Sequence, residues 1–310
     1  MHKDMFSFYS NQPRMDCKPR LVEKTMRSSR PLIYNLGDGQ IWNTWRGGTC
    51  FIIRWRVGRK NRYFCIAARH TLRNMLQGDL TNENLDNIRV LKHSNIERHG
   101  RLGERDWAKI IAYHPLIDET EFQKLFGDPD VSDFVILEAE NDAFDGVSSV
   151  FTVRPKLVGV TESEIVSNVD GPLSHILVVS GFPSVNNTID YESEAIVFHR
   201  QLVSGRYDRS TDGSPIGQID CTGRPDLPTD FDGLSGSPVF SFHRDQWKLA
   251  GIVVRGTASS KRLHFIKSNA IGFALFACAL SSEDSMRKAH MENRKQRRRE
   301  KSRTRRILLP

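Results

Sequence analysis

The chain has 310 residues, of which 38% are hydrophobic and 26% charged. That is the make-up of a soluble globular protein, long enough to bury a core without disulfide or metal staples, and it excludes a fibrous or wholly disordered chain. Its formal charge is +8, but 11 Lys or Arg against 4 Asp or Glu between Glu283 and Pro310 account for +7, so the rest of the chain is near neutral and the basicity sits in one tail.

The first residues, Met1-His-Lys-Asp-Met-Phe, lack the apolar run of a secretory signal, and residues 1–30 read as a loose, flexible N-terminal arm. The five cysteines, at 17, 50, 65, 221 and 278, are odd in number and scattered without a C-x-x-C pair, which argues against a zinc site or a disulfide framework. Cys50 and Cys65 fall on either side of a turn near Gly58-Arg59-Lys60-Asn61. Without an export signal they are expected as reduced thiols in a cytoplasmic protein.

From Pro31 onward, short β-rich runs alternate with turn residues. Cys50 to Val57, the Gly58 turn, and Arg62 to Ala68 make a hairpin pattern. A short helix is expected from Thr71 to Gln77, then a polar stretch from Gly78 to Glu104 with a weak strand at Ile88-Arg-Val-Leu. Further strands are expected at Trp107 to Tyr113, Phe134 to Leu137, His175 to Val179, Ala195 to Phe198, Pro238 to Phe242 and Leu249 to Val254. The polar stretch from Val160 to Leu173 is the candidate linker. The longest apolar stretch, Ala270 to Leu280, has about 11 residues against the roughly 20 that span a bilayer, so it reads as core and no membrane contact is expected. Many short strands with few helices give an all-β barrel or sandwich. The expected domains are an arm at 1–30, a first β-barrel at 31–160, a second at 161–282 and a basic tail at 283–310.

The most informative segment is Thr229-Asp-Phe-Asp-Gly-Leu-Ser-Gly-Ser-Pro-Val-Phe. A serine hydroxyl attacks a carbonyl only when a base takes its proton and donors receive the oxyanion. Glycines on both sides let the backbone turn sharply enough for the Ser235 hydroxyl and the N–H groups of Gly233 and Ser235 to face one point. A plain Gly/Ser-rich loop would look similar. The segment is not a Gly-x-Ser-x-Gly elbow, because Ser237 stands two places after the serine and no helix pattern follows. Among ten histidines, His70 in Phe64-Cys-Ile-Ala-Ala-Arg-His-Thr-Leu ends a strand and begins a helix, which sets the ring at a strand end. Asp106 and Asp133, each just before a strand, are both candidates to orient it, and their contexts alone do not choose between them.

Five segments, in order, resemble the trypsin and chymotrypsin family of serine peptidases. Ala-Ala-Arg-His70 is similar to its Ala-Ala-His with one arginine inserted. Lys109-Ile-Ile-Ala-Tyr-His-Pro resembles the strand that ends in His-Pro, and Asp133-Phe-Val-Ile-Leu the segment holding the catalytic aspartate. Gly233-Leu-Ser-Gly-Ser-Pro-Val resembles Gly-Asp-Ser-Gly-Gly-Pro-Val, and Leu249-Ala-Gly-Ile-Val-Val-Arg-Gly the strand that follows it.

The resemblance covers roughly residues 40 to 275 and selects Asp133 over Asp106. It implies a chymotrypsin-like double six-stranded antiparallel β-barrel, with His70 and Asp133 from the first barrel and Ser235 from the second. It further implies a Ser235–His70–Asp133 triad cleaving a polypeptide substrate, an oxyanion hole of Gly233 and Ser235, and no cofactor or metal. A substrate pocket would have Thr229 at its floor and Val254, Arg255 and Gly256 on its wall; an uncharged floor gives no expectation of preference for a basic side chain. Leu234 replaces an aspartate that pairs with a new N-terminus in secreted members, so that route of activation is not expected. Two other classes stay open: a catalytically silent binding module, and nucleic-acid contact through the basic residues of 287–306, which lack interleaved aromatics for base stacking.

Overall fold

The computed structural model describes residues 26–35, 44–57, 60–76, 78–92, 106–116, 119–145, 147, 150–153, 176–190, 192, 195–224, 227–243 and 246–279. The candidate linker, the basic tail, most of the expected arm and Cys17 lie outside them.

Strand β3 (Lys60–Ala68) explains the architecture best. From Arg62 to Ala68 every residue is buried, because both faces of the strand meet apolar neighbours. Tyr63, Cys65 and Ala67 point into one cluster, together with Cys50 and Ile52 from β2 (Thr44–Val57). Phe64 and Ile66 point the other way and join Phe51, Ile53 and Trp55 in a second cluster. The first cluster fills a barrel. The second is the seam between that barrel and its neighbour.

The first barrel also takes β1 (Ser29–Asn35), β4 (Ile88–Leu91), β5 (Trp107–His114) and β6 (Phe134–Ala139). Its order is β1-β4-β5-β6-β3-β2, and β1 pairs with β2 to close it. Strand β7 (Phe151–Val153) adds to the far side of β2 in parallel. Helix α1 (Arg69–Leu76) follows β3 directly, as expected, and helix α2 (Glu119–Phe126) lies between β5 and β6.

After β8 (Ile176–Gly181), a small ribbon of β9 (Thr188–Asp190) and β10 (Ala195–Val197) leads into β11 (Gln201–Tyr207). Strands β12 (Ile216–Asp220), β13 (Pro238–His243), β14 (Gln246–Thr257) and β15 (Arg262–Lys267) complete the second barrel, with the closed order β11-β12-β15-β14-β13-β8. It has its own interior of Leu177, Val179, Val203, Leu263 and Phe265 among others. Two closed six-stranded antiparallel barrels are therefore present, the chymotrypsin-like fold.

The apolar run at the end is a helix, α3 (268–279), whose buried residues Ala270, Ile271, Ala274, Leu275 and Cys278 recur at helical spacing along one face. That face covers the seam beside Phe240, Ile252 and Ile266. Among the described residues no helix is long and apolar enough to cross a membrane. Cys50 and Cys65 are unbonded and fully buried; burial pushes the Cys50 thiol up to about 12. Strand β1 begins at Ser29, so the last residues of the expected 1–30 arm belong to the first barrel.

Candidate active site

The two barrels meet at the ends of β3, β6 and the β12–β13 connection. In the β3–β6 ladder Ala68 lies opposite Phe134, so the residues just beyond them leave the barrel together. Arg69 N–H extends the ladder by donating to Asp133 O at 3.2 Å. His70 then starts α1, while Asp133 closes a short 3-10 turn at Pro129–Ser132.

Asp133 holds His70 at two points. Its Oδ1 accepts the His70 backbone N–H at 3.0 Å, and its Oδ2 lies 2.6 Å from the ring Nδ1. On the far side of the ring, Nε2 is 3.1 Å from Ser235 Oγ. His70 and Asp133 keep 38% and 30% of their side-chain surface exposed, so the row opens to solvent. Asp106, the rival of Asp133, sits at the start of β5, where its carbonyl accepts the Lys92 N–H at 2.9 Å.

Ser235 is at the tip of a tightly bonded loop. Asp232 N–H donates to its neighbour Asp230 Oδ1, Leu234 N–H to Phe231 O, Gly236 N–H to Val253 O and Ser237 N–H to Leu234 O. The N–H groups of Gly233 and Ser235 donate to no group among the described residues. Two alternate amides are thus left available while those around them are tied down. Gly233 and Gly236 have φ of +86° and +85°, and a Cβ on Gly236 would stand 1.9 Å from Thr49 O. Only glycine allows both the turn and that approach. Leu234 is fully buried in the interior of the second barrel, so hydrophobic packing anchors the loop.

Strand β14 runs past the serine, with a bulge between Val253 and Arg255. The bulged residue, Val254, offers its carbonyl to Ser235 Oγ at 3.3 Å. Beside His70 and Asp133 lies an open depression of about 360 Å³, bordered by Val254 and Arg255. Arg255 reaches across from the second barrel to Asp130 of the first, 2.6 Å away. Arg69, the inserted residue, turns to Glu119 at 2.6 Å, and that hydrogen bond raises its pKa. Gly256 and Thr229 are not part of this depression. Thr229 is exposed, and a Cβ on Gly256 would stand 2.4 Å from Leu263 Cδ2 and 3.2 Å from Phe231 Cδ2.

Sequence reasoning missed Thr49, which binds the serine loop from β2, because it began that strand at Cys50 rather than at Thr44. It also missed the partners of the arginines, Glu119 and Asp130. The pair Gly47-Gly48 before Thr49 was the signal for the first: Gly48 has φ of +127°, and a Cβ there would lie 3.1 Å from Ser235 O. Nothing local marks Glu119 or Asp130, since each meets an arginine brought by the fold.

No protein-family model and no curated protein matches the chain. Among solved structures, a thermostable serine protease AL20 from an extremophilic microorganism is 9% identical, with a TM-score of 0.45, covering 80% of this chain and 95% of the other. A Glu endopeptidase in complex with MPD is 14% identical, also with a TM-score of 0.45, covering 83% and 93%.

Proposed function

We propose that the chain is a serine endopeptidase that cleaves polypeptides through an acyl-enzyme, with Ser235 as nucleophile, His70 as general base and acid, and Asp133 as the group that orients His70. The observation that carries this reading is the unbroken row Asp133 Oδ2, His70 Nδ1, His70 Nε2 and Ser235 Oγ, with steps of 2.6 and 3.1 Å.

A carboxylate only accepts, so Asp133 keeps the ring proton on Nδ1 and leaves the Nε2 lone pair facing the hydroxyl. As Ser235 Oγ attacks the scissile carbonyl, its proton passes to Nε2, and the imidazolium that forms is stabilised by Asp133. The carbonyl oxygen becomes an oxyanion within reach of the Gly233 and Ser235 N–H groups, each such donor being worth on the order of 3 kcal/mol. His70 then returns the proton to the leaving amine. Water, deprotonated by the same nitrogen, hydrolyses the ester.

The test uses a fluorophosphonate, which phosphonylates an activated serine oxygen with loss of fluoride. Wild-type protein is expected to be labelled, and Ser235→Ala and His70→Ala are expected to stay unlabelled. Labelling that persists in Ser235→Ala removes the nucleophile assignment, and a folded wild type that is never labelled removes the enzymatic reading.

A further inference from the structure

Two peptide planes aim the amides proposed to bind the oxyanion, 232–233 for Gly233 N–H and 234–235 for Ser235 N–H. Both carbonyls are held from within the second barrel: Asp232 O accepts Ser184 N–H at 2.7 Å and Leu234 O accepts Ser237 N–H at 2.9 Å. The plane between them, 233–234, sets the angle at which the two N–H groups converge. Its N–H, that of Leu234, is held inside the loop by Phe231 O at 3.1 Å, and its carbonyl, Gly233 O, is held from the other barrel by Thr49 Oγ1 at 2.8 Å.

The same residue grips the loop again. Thr49 N–H donates to Ser235 O at 3.0 Å, which fixes the plane that follows the nucleophile. Thr49 Oγ1 also accepts Phe182 N–H, at 3.0 Å, from the end of β8. These partners leave the hydroxyl no choice of direction. An amide can only donate and a carbonyl can only accept, so the Thr49 proton must lie on the side of Gly233 O. Thr49 is fully buried, as is Phe182, so bulk water cannot replace the hydroxyl if it is removed.

We infer that Thr49 is a positioning residue of the oxyanion hole: a hydroxyl on the first barrel sets the convergence of the two amides on the second. The inference rests on the peptidase reading above. It assigns Thr49 no contact with substrate. Its role is to keep the hole assembled before substrate arrives, and its loss is felt where negative charge develops rather than where peptide binds.

The experiment compares wild type, Thr49→Val, Thr49→Ser and Ser235→Ala on a peptide ester, with fluorophosphonate labelling and thermal melting alongside. Thr49→Val keeps the shape and removes the hydroxyl. Misalignment of a reacting group by about 1 Å costs roughly 100-fold, so kcat should fall by about that factor while KM stays within about threefold. Thr49→Ser restores the hydroxyl and should return kcat to within about threefold of wild type.

A peptide boronate, whose tetrahedral adduct occupies the hole, should lose affinity for Thr49→Val in step with kcat, whereas a non-covalent product peptide should not. A purely structural role would lower the melting temperature and leave that contrast out. Thr49→Ala, which is smaller than threonine and introduces no clash, is carried in parallel under the same thresholds in case Thr49→Val does not fold. The inference is overturned if labelled, folded Thr49→Val or Thr49→Ala turns over within about threefold of wild type, or if Thr49→Ser is as slow as Thr49→Val. A wild type that neither turns over nor takes the label overturns the peptidase reading, and this inference with it, while a labelled wild type with an indifferent Thr49 overturns this inference alone.

Discussion

Asp133→Asn tests the proposed chemistry through one proton. Asp133 Oδ1 accepts the His70 backbone N–H at 3.0 Å, and a backbone amide cannot reverse its role. In the variant, therefore, the asparagine carbonyl oxygen stays on that side and its NH2 takes the place of Oδ2, 2.6 Å from Nδ1. A donor then faces the ring nitrogen that carries the proton. The ring relieves the conflict by moving its proton to Nε2, which now points a donor at Ser235 Oγ instead of a lone pair. Shape is almost unchanged and the base is gone. In a triad of this geometry such a tautomer error lowers kcat by about 10⁴, equivalent to about 5 kcal/mol of barrier. The assay is kcat on a peptide ester together with the ¹⁵N shifts of the His70 ring, which report the tautomer directly. A folded Asp133→Asn protein within tenfold of wild type would refute the reasoning, and so would a lost kcat with the proton still on Nδ1.

Two further outcomes are expected. Glu138, buried on β6, binds Arg62 through both oxygens and His114 Nε2 at 2.8 Å. Burial alone would raise its pKa, but the hydrogen bonds from His114 and Arg62 outweigh it and hold the carboxyl at about 2. A folded-state pKa below the ordinary 4.5 gives stability that is fully present above that value and lost as pH falls from about 5 toward 2, up to ~3 kcal/mol in all. Urea melts across that range should therefore fall more steeply for wild type than for Glu138→Gln, and parallel curves would exclude the linkage. Leu263 is fully buried in the interior of the second barrel, so Leu263→Ala leaves a cavity there and should cost about 2–5 kcal/mol of stability. Urea melts measure it, and a loss below about 1 kcal/mol would show that the barrel interior closes over the missing side chain.

The fold was most legible where residues of one strand face apolar neighbours on both sides. The runs in β3, β6 and β14 are apolar because the barrel interior takes one face and the seam takes the other, and an unbroken apolar run bounded by turn residues is readable without any partner. Strands β11 and β12 were not legible for the opposite reason. Each carries a glycine in its interior: a Cβ at Gly217 would stand 2.4 Å from the ring of Phe265, and one at Gly205 the same distance from Ile219. Those glycines are strand residues whose side-chain space is filled by the neighbouring strand, and that neighbour is invisible to local pattern. Strand β15 went unnoticed in the same way, since Arg262, His264 and Lys267 break its apolar content while Leu263, Phe265 and Ile266 carry the core.

The candidate site divides along a similar line. His70, Asp133 and Ser235 each announced themselves through a neighbouring strand, because a reacting group has to be carried on something rigid, and the strand that carries it leaves its own trace. The resemblance then chose between Asp133 and Asp106, and Asp133 is the one whose carboxylate meets His70. What could not be read was the relation between barrels. Thr49 to Gly233, Arg255 to Asp130 and Phe276 of α3 to Trp55 all join residues more than a hundred positions apart. Each such contact uses an ordinary residue whose only distinction is where the fold delivers it. The reading of Ser235 as an activated serine therefore depends on two kinds of information. The loop that turns it outward is written in its own glycines, and the barrel that holds the loop still is written some 186 residues earlier, in a threonine with no motif around it.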